Sequence, residues 1–181
     1  MILLLRFIGV MNAAIWFGGA VFLLVAAGAF FSVQIQSTPL GKFWPGLMVQ
    51  FVFERFFYLQ CICATLAIAH QLAEWVYLGR NLQRWVMGLL AALLLTGLVD
   101  GLILAPRLRS LYLVKYGLNE RFTPANYSHE ERAQAVKTFS SWHRASRVLG
   151  FSATLALGLF FWKVVYPGEN SRFLGASKFR S

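Results

Sequence analysis

The stretch that decides the fold runs from Glu54 to Gly79 and reads ERFFYLQCICATLAIAHQLAEWVYLG. It is apolar and long enough to cross a bilayer, because about 20 helical residues span the hydrocarbon core. It nevertheless carries Glu54, Arg55, His70 and Glu74. A charged group in hydrocarbon costs roughly 2.5–3.5 kcal/mol on insertion scales, so we treat these side chains as candidate functional residues.

The rest of the chain shares this apolar character. Its 181 residues are 58% hydrophobic and 13% charged, with a mean hydropathy of +0.59. A soluble protein of this size could not bury so much apolar surface, so lipid must cover part of it. The formal net charge of +10 arises from cations that flank the apolar segments. We therefore expect anionic lipid or an acidic partner subunit to attract them, and not nucleic acid.

Four apolar segments predict an all-α membrane protein, a four-transmembrane-helix bundle in a single membrane domain covering residues 1–181. The run 46–53 is too short to span alone, so it is either an interfacial helix or the first turns of a long, tilted second helix. The connection GRNLQR is so short that the second and third spans form a helical hairpin. The predicted spans are approximately 7–31, 56–78, 85–104 and 148–166.

The connection 107–140 is the one sizeable extramembrane segment that the sequence predicts. Its first part, RLRSLYLVKYGL, favours a helical continuation along the interface that ends near Gly117. Ser128 and Glu131 form an S-x-x-E capping box, which predicts that the next helix begins there and runs into the fourth span. A basic tail, 167–181, follows. Four spans place the amino terminus and this tail on the same side, and the cations leave the orientation open.

Three motifs carry a resemblance: IWFGG in the first span, ERFFYL at the head of the second and FSSWHRASRVLGF before the fourth. Together they resemble a family of bacterial four-helix membrane proteins of unknown function, similar in outline to the copper-resistance-D-like membrane proteins. The resemblance covers most of the chain. It implies a multi-pass protein of the bacterial inner (cytoplasmic) membrane, a bundle in which Trp16, Gly18 and Gly19 pack inside, and no established reaction.

The second span carries one stripe of potential ligands, because Cys63, His70 and Glu74 fall at helical spacing. Thiolate, imidazole and carboxylate can each bind a transition metal or a haem iron. The alternative is that Cys63 packs as a small hydrophobe, Glu74 pairs with Arg80, and His70 donates a hydrogen bond to a carbonyl or another helix.

We keep His70 as the candidate cofactor-binding residue, a single axial ligand to a haem or a chlorophyll-type pigment. A second ligand from His143 is excluded, because helix rise places the two imidazoles about 20 Å apart in depth. On the other helices, Asn12 and Trp16 are the side chains at a depth that could reach His70.

Charged residues at the opposite membrane face predict a polar cluster. It is either a salt-bridge network that locks the bundle, or an anion site in which two arginines bind a lipid phosphate or a carboxylate. Its predicted members are Glu54, Arg55, Asp100, His143, Arg144 and Arg147.

No nucleophile motif, phosphate loop, dinucleotide fingerprint or paired-cysteine metal site occurs in the sequence, so we predict no catalytic residue and no metal site. We expect a non-catalytic accessory or structural subunit of a larger membrane complex, redox or photosynthetic, that binds membrane lipid and other membrane-protein subunits. The alternative is a small transporter, or a single-haem or metal-binding membrane protein, that uses His70 or the Asp100 cluster.

Overall fold

Four long helical rods form the protein in the computed structural model, which describes residues 2–30, 43–78 and 83–166. The third rod is continuous through a π-helical segment. Each rod is long and apolar enough to cross a membrane. The predicted all-α, four-span architecture is therefore confirmed, and the chain is a multi-pass membrane protein. The elements are α1 (Ile2–Phe30), α2 (Phe43–Leu78), α3 (Arg84–Val99), the π-helical segment (Asp100–Leu104), α4 (Ala105–Lys115) and α5 (His129–Val165).

The second rod is much longer than its predicted span. Because α2 begins at Phe43, the run 46–53 forms its first turns, and a separate interfacial helix at this place is ruled out. Pro45 lies in the first turn, where the missing N–H has no intrahelical acceptor to lose. The 36 residues of α2 measure about 54 Å, which exceeds the roughly 30 Å of hydrocarbon. Part of α2 therefore projects beyond the bilayer.

The projecting ends of the rods pack on one another. The helical continuation predicted after Pro106 is confirmed as α4, which follows directly from the third span. It packs on the first half of α5, where the rings of Tyr112 and Phe139 lie 5.6 Å apart. Tyr112 also donates a hydrogen bond of 2.8 Å to the carbonyl oxygen of Phe43 at the start of α2. These contacts build a small extramembrane layer from α2, α4 and α5.

Local sequence signals set the ends of α4 and α5. Gly117 adopts a φ of 71°, a conformation that favours glycine, and the Leu118 N–H donates to the Leu113 carbonyl as in a Schellman motif. The predicted capping box is confirmed: the Glu131 N–H donates to Ser128 Oγ, and the Ser128 N–H donates to Glu131 Oε2. The basic tail 167–181 lies outside the described residues.

The core lies between α1, α2, α3 and α5 and is centred on Trp16. The Trp16 side chain is fully buried and meets the ring of Phe160 edge to face at 6.2 Å. Gly19 lies against the Phe56 ring, but Gly18 faces open space. The prediction that Gly18 packs inside is therefore wrong. Successive helical residues rotate by about 100°, so Trp16 and Gly19 share a face that Gly18 cannot share.

Candidate functional site

Two polar side chains join α1 to α2 inside the apolar part of the bundle. Asn12 Nδ2 donates to the carbonyl oxygen of Cys63 at 2.9 Å, and His70 Nε2 donates to the carbonyl oxygen of Leu5 at 2.8 Å. The two contacts are seven residues apart on each helix, which is two helical turns. One bond is donated from each helix, so together they fix the register of this antiparallel pair.

Gly9 gives His70 access to the α1 backbone. A Cβ atom at Gly9 would lie 2.6 Å from His70 Nε2, so only glycine leaves room for the ring in this position. The partner of His70 is thus a backbone carbonyl, and not the side chain of Trp16 or Asn12. Because the carbonyl can only accept, Nε2 carries the proton and Nδ1 is left as the potential ligand atom. This geometry favours the structural alternative, and a cofactor role for His70 stays a prediction.

The other residues of the predicted ligand stripe do not gather around the imidazole. Cys63 and Ala67 are buried in the core, where they pack between helices. Glu74 is half-buried one turn beyond His70, and its predicted partner Arg80 lies outside the described residues. Among the residues that the structure describes, no group of three His, Cys, Asp or Glu side chains is arranged to hold a metal ion.

Asp100 begins the π-helical segment. Pro106 lacks an N–H, and ahead of it the Ala105 N–H reaches back five residues to the Asp100 carbonyl. The Asp100 carboxylate turns toward α5, where its Oδ1 accepts a hydrogen bond of 3.3 Å from Ser146 Oγ. The next residue, Gly101, lies directly against the Phe57 ring, so the widened turn sits where α2 and α3 approach closely. Wide turns of this kind are frequent at functional sites.

The predicted polar cluster is not brought together as one network. Glu54 lies 3.9 Å from Arg109, a residue outside the predicted group, and Asp100 pairs with a serine hydroxyl. The ring of His143 stacks on that of Phe139, one helical turn earlier on α5. Across residues 2–30, 43–78 and 83–166, no ion pair joins two members of the predicted group. Arg55, Arg144 and Arg147 are exposed.

Lys115 forms a cation–π cluster that the sequence reasoning missed. Its Nζ atom lies 5.9 Å from the ring centre of Tyr112, 5.2 Å from that of Tyr116 and 5.5 Å from that of Phe139. The spacing of Tyr112 and Lys115 on one helix face was a usable signal. The sequence offered no comparable signal for Phe139, because this residue lies on another helix, α5. The cluster ties α4 to α5.

A shallow groove, largely open to the surroundings and with a volume of about 490 Å³, lies on the outer face of α5 near the middle of the helix, and all its lining residues belong to this one helix. Its described lining is polar at the end nearer the extramembrane layer and mainly apolar toward the membrane interior. In contrast, a gap between α1 and α2 beside Leu23 and Phe53 has no room for a water molecule. The residues that line the groove are Ser141, Arg144, Ala145, Val148, Leu149 and Ser152.

Comparison with known proteins gives a family without a function. The profile of a family described as a domain of unknown function (DUF4149) matches residues 11–116, more than half of the chain. The chain therefore belongs to this family. The match contains two of the motifs noted in the sequence, IWFGG and ERFFYL, and ends before FSSWHRASRVLGF. No curated protein and no solved structure shows significant similarity to the chain.

Proposed function

We propose that this member of the DUF4149 family is a non-catalytic accessory or structural subunit of a larger membrane complex, which packs against partner helices and lipid. The observation that carries the proposal is a contrast between two sets of glycines in the four rods. In the first set, each glycine lies against a side chain of another helix: Gly9, Gly19, Gly46, Gly97, Gly101 and Gly158. In the second set, a Cβ atom would meet nothing: Gly18, Gly28, Gly88 and Gly150.

The outward glycines serve no packing purpose within the described chain. Glycine in a helix costs roughly 0.5–1 kcal/mol relative to alanine, so a partner that needs close approach would explain its presence. Small residues four positions apart allow membrane helices to pack closely. On α3, Gly88 and Ala92 are both exposed at this spacing, between the larger exposed side chains of Trp85 and Leu95. This face of α3 is the partner surface that we propose.

The interior of the bundle supports the same role. Asn12, His70 and Gln60 each donate to a backbone carbonyl of a neighbouring helix. The core around Trp16 is filled with aliphatic and aromatic side chains. These three bonds give the inner donors a structural role, which supports a function on the outer surface of the bundle.

The finer identity of the complex is a separate part of the proposal. We propose a redox or photosynthetic assembly of the bacterial inner membrane, in which the chain has the outline of the copper-resistance-D-like membrane proteins. Exposed aromatic side chains on the outer helix faces, such as Phe22, Phe151 and Trp162, would suit contact with pigment or lipid tails. The absorption spectrum of the isolated complex tests this part of the proposal.

The experiment uses the tagged full-length chain purified from its native membranes in mild detergent. We expect it to co-migrate with other subunits on a native gel. Gly88→Ala should preserve the complex, whereas Gly88→Leu should release the chain as a folded monomer, because the larger side chain blocks close approach. Recovery of the wild-type chain at its free-monomer mass, without other subunits, would refute the accessory role.

A second candidate function rests on Asp100, a carboxylate that lies beside a widened helical turn and has a hydroxyl group as its hydrogen-bond partner. A small transporter could bind a proton or cation there, and a single-haem protein could use His70. Asp100→Asn should then abolish uptake in vesicles, and His70→Ala should abolish the Soret band of the purified protein. Unchanged uptake and an unchanged or absent band would remove both possibilities.

A further inference from the structure

The groove on α5 lies at a definable depth in the membrane. Trp162 and Tyr166 are exposed near the end of α5, where an interfacial aromatic belt is expected. The hydrocarbon core corresponds to about 20 helical residues, so its other boundary falls near residues 142–146. Arg144 therefore lies at headgroup level, and the part of the groove beyond it enters the hydrocarbon.

Arg144 has an uncompensated charge at this boundary. In the described part of the chain, no carboxylate pairs with its guanidinium group, whereas Glu54 on α2 is paired with Arg109. An arginine at headgroup level attracts an anion, and its guanidinium group can bind a phosphate through two parallel hydrogen bonds. Ser141, one turn away on the same face, adds a hydroxyl donor.

The remainder of the groove suits a hydrocarbon chain. Val148 and Leu149 line it one turn below Arg144, and Ser152 lies one turn further along the same open face. A site with a cation at the headgroup level and an aliphatic wall below has the polarity profile of a phospholipid.

We propose that this groove is a binding site for an anionic membrane phospholipid. The phosphate binds Arg144 and Ser141, and one acyl chain lies along Val148 and Leu149. The charge of the chain favours an anionic lipid over a zwitterionic one, because 17 Lys and Arg stand against 7 Asp and Glu. The site concerns the isolated chain, so it does not depend on the proposed role as an accessory subunit.

The test measures lipid retention by the delipidated, detergent-purified full-length protein. Phosphatidylglycerol or phosphatidylcholine is added, and bound lipids are counted by native mass spectrometry. We expect one phosphatidylglycerol to bind preferentially. Arg144→Ala should weaken its binding roughly tenfold or more, which is the effect of losing a charge-assisted hydrogen bond. Arg147→Ala is the matched control, since Arg147 is exposed three residues away and does not line the groove.

A second variant, Leu149→Trp, keeps the charge of Arg144 but places a bulky ring in the apolar part of the groove, and it should lose phosphatidylglycerol. If Arg144→Ala fails to fold, Arg144→Lys replaces it, and this variant should retain part of the affinity for phosphatidylglycerol. The proposal is overturned if Arg144→Ala and Arg147→Ala weaken binding equally, or if phosphatidylcholine binds as tightly as phosphatidylglycerol. Displacement of the lipid by millimolar inorganic phosphate would indicate a simple anion site and would also overturn it.

Discussion

Replacement of Gly9 by alanine tests whether the contact between His70 and the α1 backbone holds α1 and α2 together. The new Cβ would lie 2.6 Å from His70 Nε2, whereas ordinary contact begins near 3.4 Å. The ring must therefore retreat by about 0.8 Å, which lengthens its 2.8 Å bond to the Leu5 carbonyl to roughly 3.6 Å. At that distance the hydrogen bond is lost.

The lost hydrogen bond between membrane helices is worth about 0.6 kcal/mol on average and up to about 1.7 kcal/mol, and the displaced imidazole adds overpacking strain of about 1–3 kcal/mol. Alanine recovers up to roughly 1 kcal/mol through helix propensity, so we expect Gly9→Ala to destabilise the protein by about 1 kcal/mol or more. The structure also predicts a coupling. In a His70→Ala background the imidazole is gone, so Gly9→Ala should be neutral or stabilising by up to roughly 1 kcal/mol through helix propensity.

The assay is reversible unfolding of the two single variants and the double variant in mixed micelles, with Gly18→Ala as the matched control. Gly18 lies on the same helix and faces open space, so its replacement should not destabilise either background. The reasoning fails if Gly9→Ala is as harmless as Gly18→Ala in the wild-type chain. It also fails if the effects of Gly9→Ala and His70→Ala simply add to within about 0.5 kcal/mol.

Three further predictions concern the ends of the helices and the core. Gly117→Ala should destabilise the protein by about 1–2 kcal/mol in the same unfolding assay, because alanine is strained at a φ of 71°. Trp16→Ala should cost about 3 kcal/mol or more, since it empties a fully buried position. Hydrogen bonds from Ser128 lower the pKa of Glu131 from its ordinary value. The capping box at the start of α5 therefore stabilises the helix fully above the ordinary pKa of a glutamate. This stabilisation is lost as the pH falls through the lowered pKa of Glu131 in the folded protein. Amide exchange at this helix start should accelerate in acid for the wild-type chain, and Glu131→Gln should remove the pH dependence.

The features that the sequence predicted correctly depend on neighbours along the chain. Apolar run length indicated the four spans, and the S-x-x-E pattern indicated the start of α5 because both partners lie within one turn. The start of α2 was less certain because Pro45 reads as a helix breaker in the sequence, although the first turn of a helix tolerates it. The position and the start of a helix were therefore predictable where neighbouring residues follow one rule, and less so where a residue such as Pro45 can be read in two ways.

The partners of the polar residues were not predictable for a different reason. Helix rise gives the depth of a residue but not the direction of its side chain around the bundle. Glu54, Asp100 and Arg144 share a depth, yet Glu54 faces Arg109, Asp100 faces Ser146 and Arg144 faces outward. Every residue has a backbone carbonyl, so the sequence does not show which carbonyl accepts a hydrogen bond from His70. The small residue Gly9, which lets the ring approach α1, was the one sequence feature that could have pointed to the Leu5 carbonyl.

The inner polar side chains Asn12 and His70 donate to backbone carbonyls, and this changes which residues are candidates for function. A carbonyl has two lone pairs, so it can accept from Asn12 or His70 while it keeps its own helical bond. Such a bond requires no charged partner in hydrocarbon, and it fixes the register because the donor must meet one particular turn. The inner imidazole, the most conspicuous residue of the sequence, thereby acquires a structural explanation. Among the described residues, two features on the outside of the bundle still lack such an explanation, Arg144 and the Gly88 face of α3, and we expect ligands and partner helices to bind there.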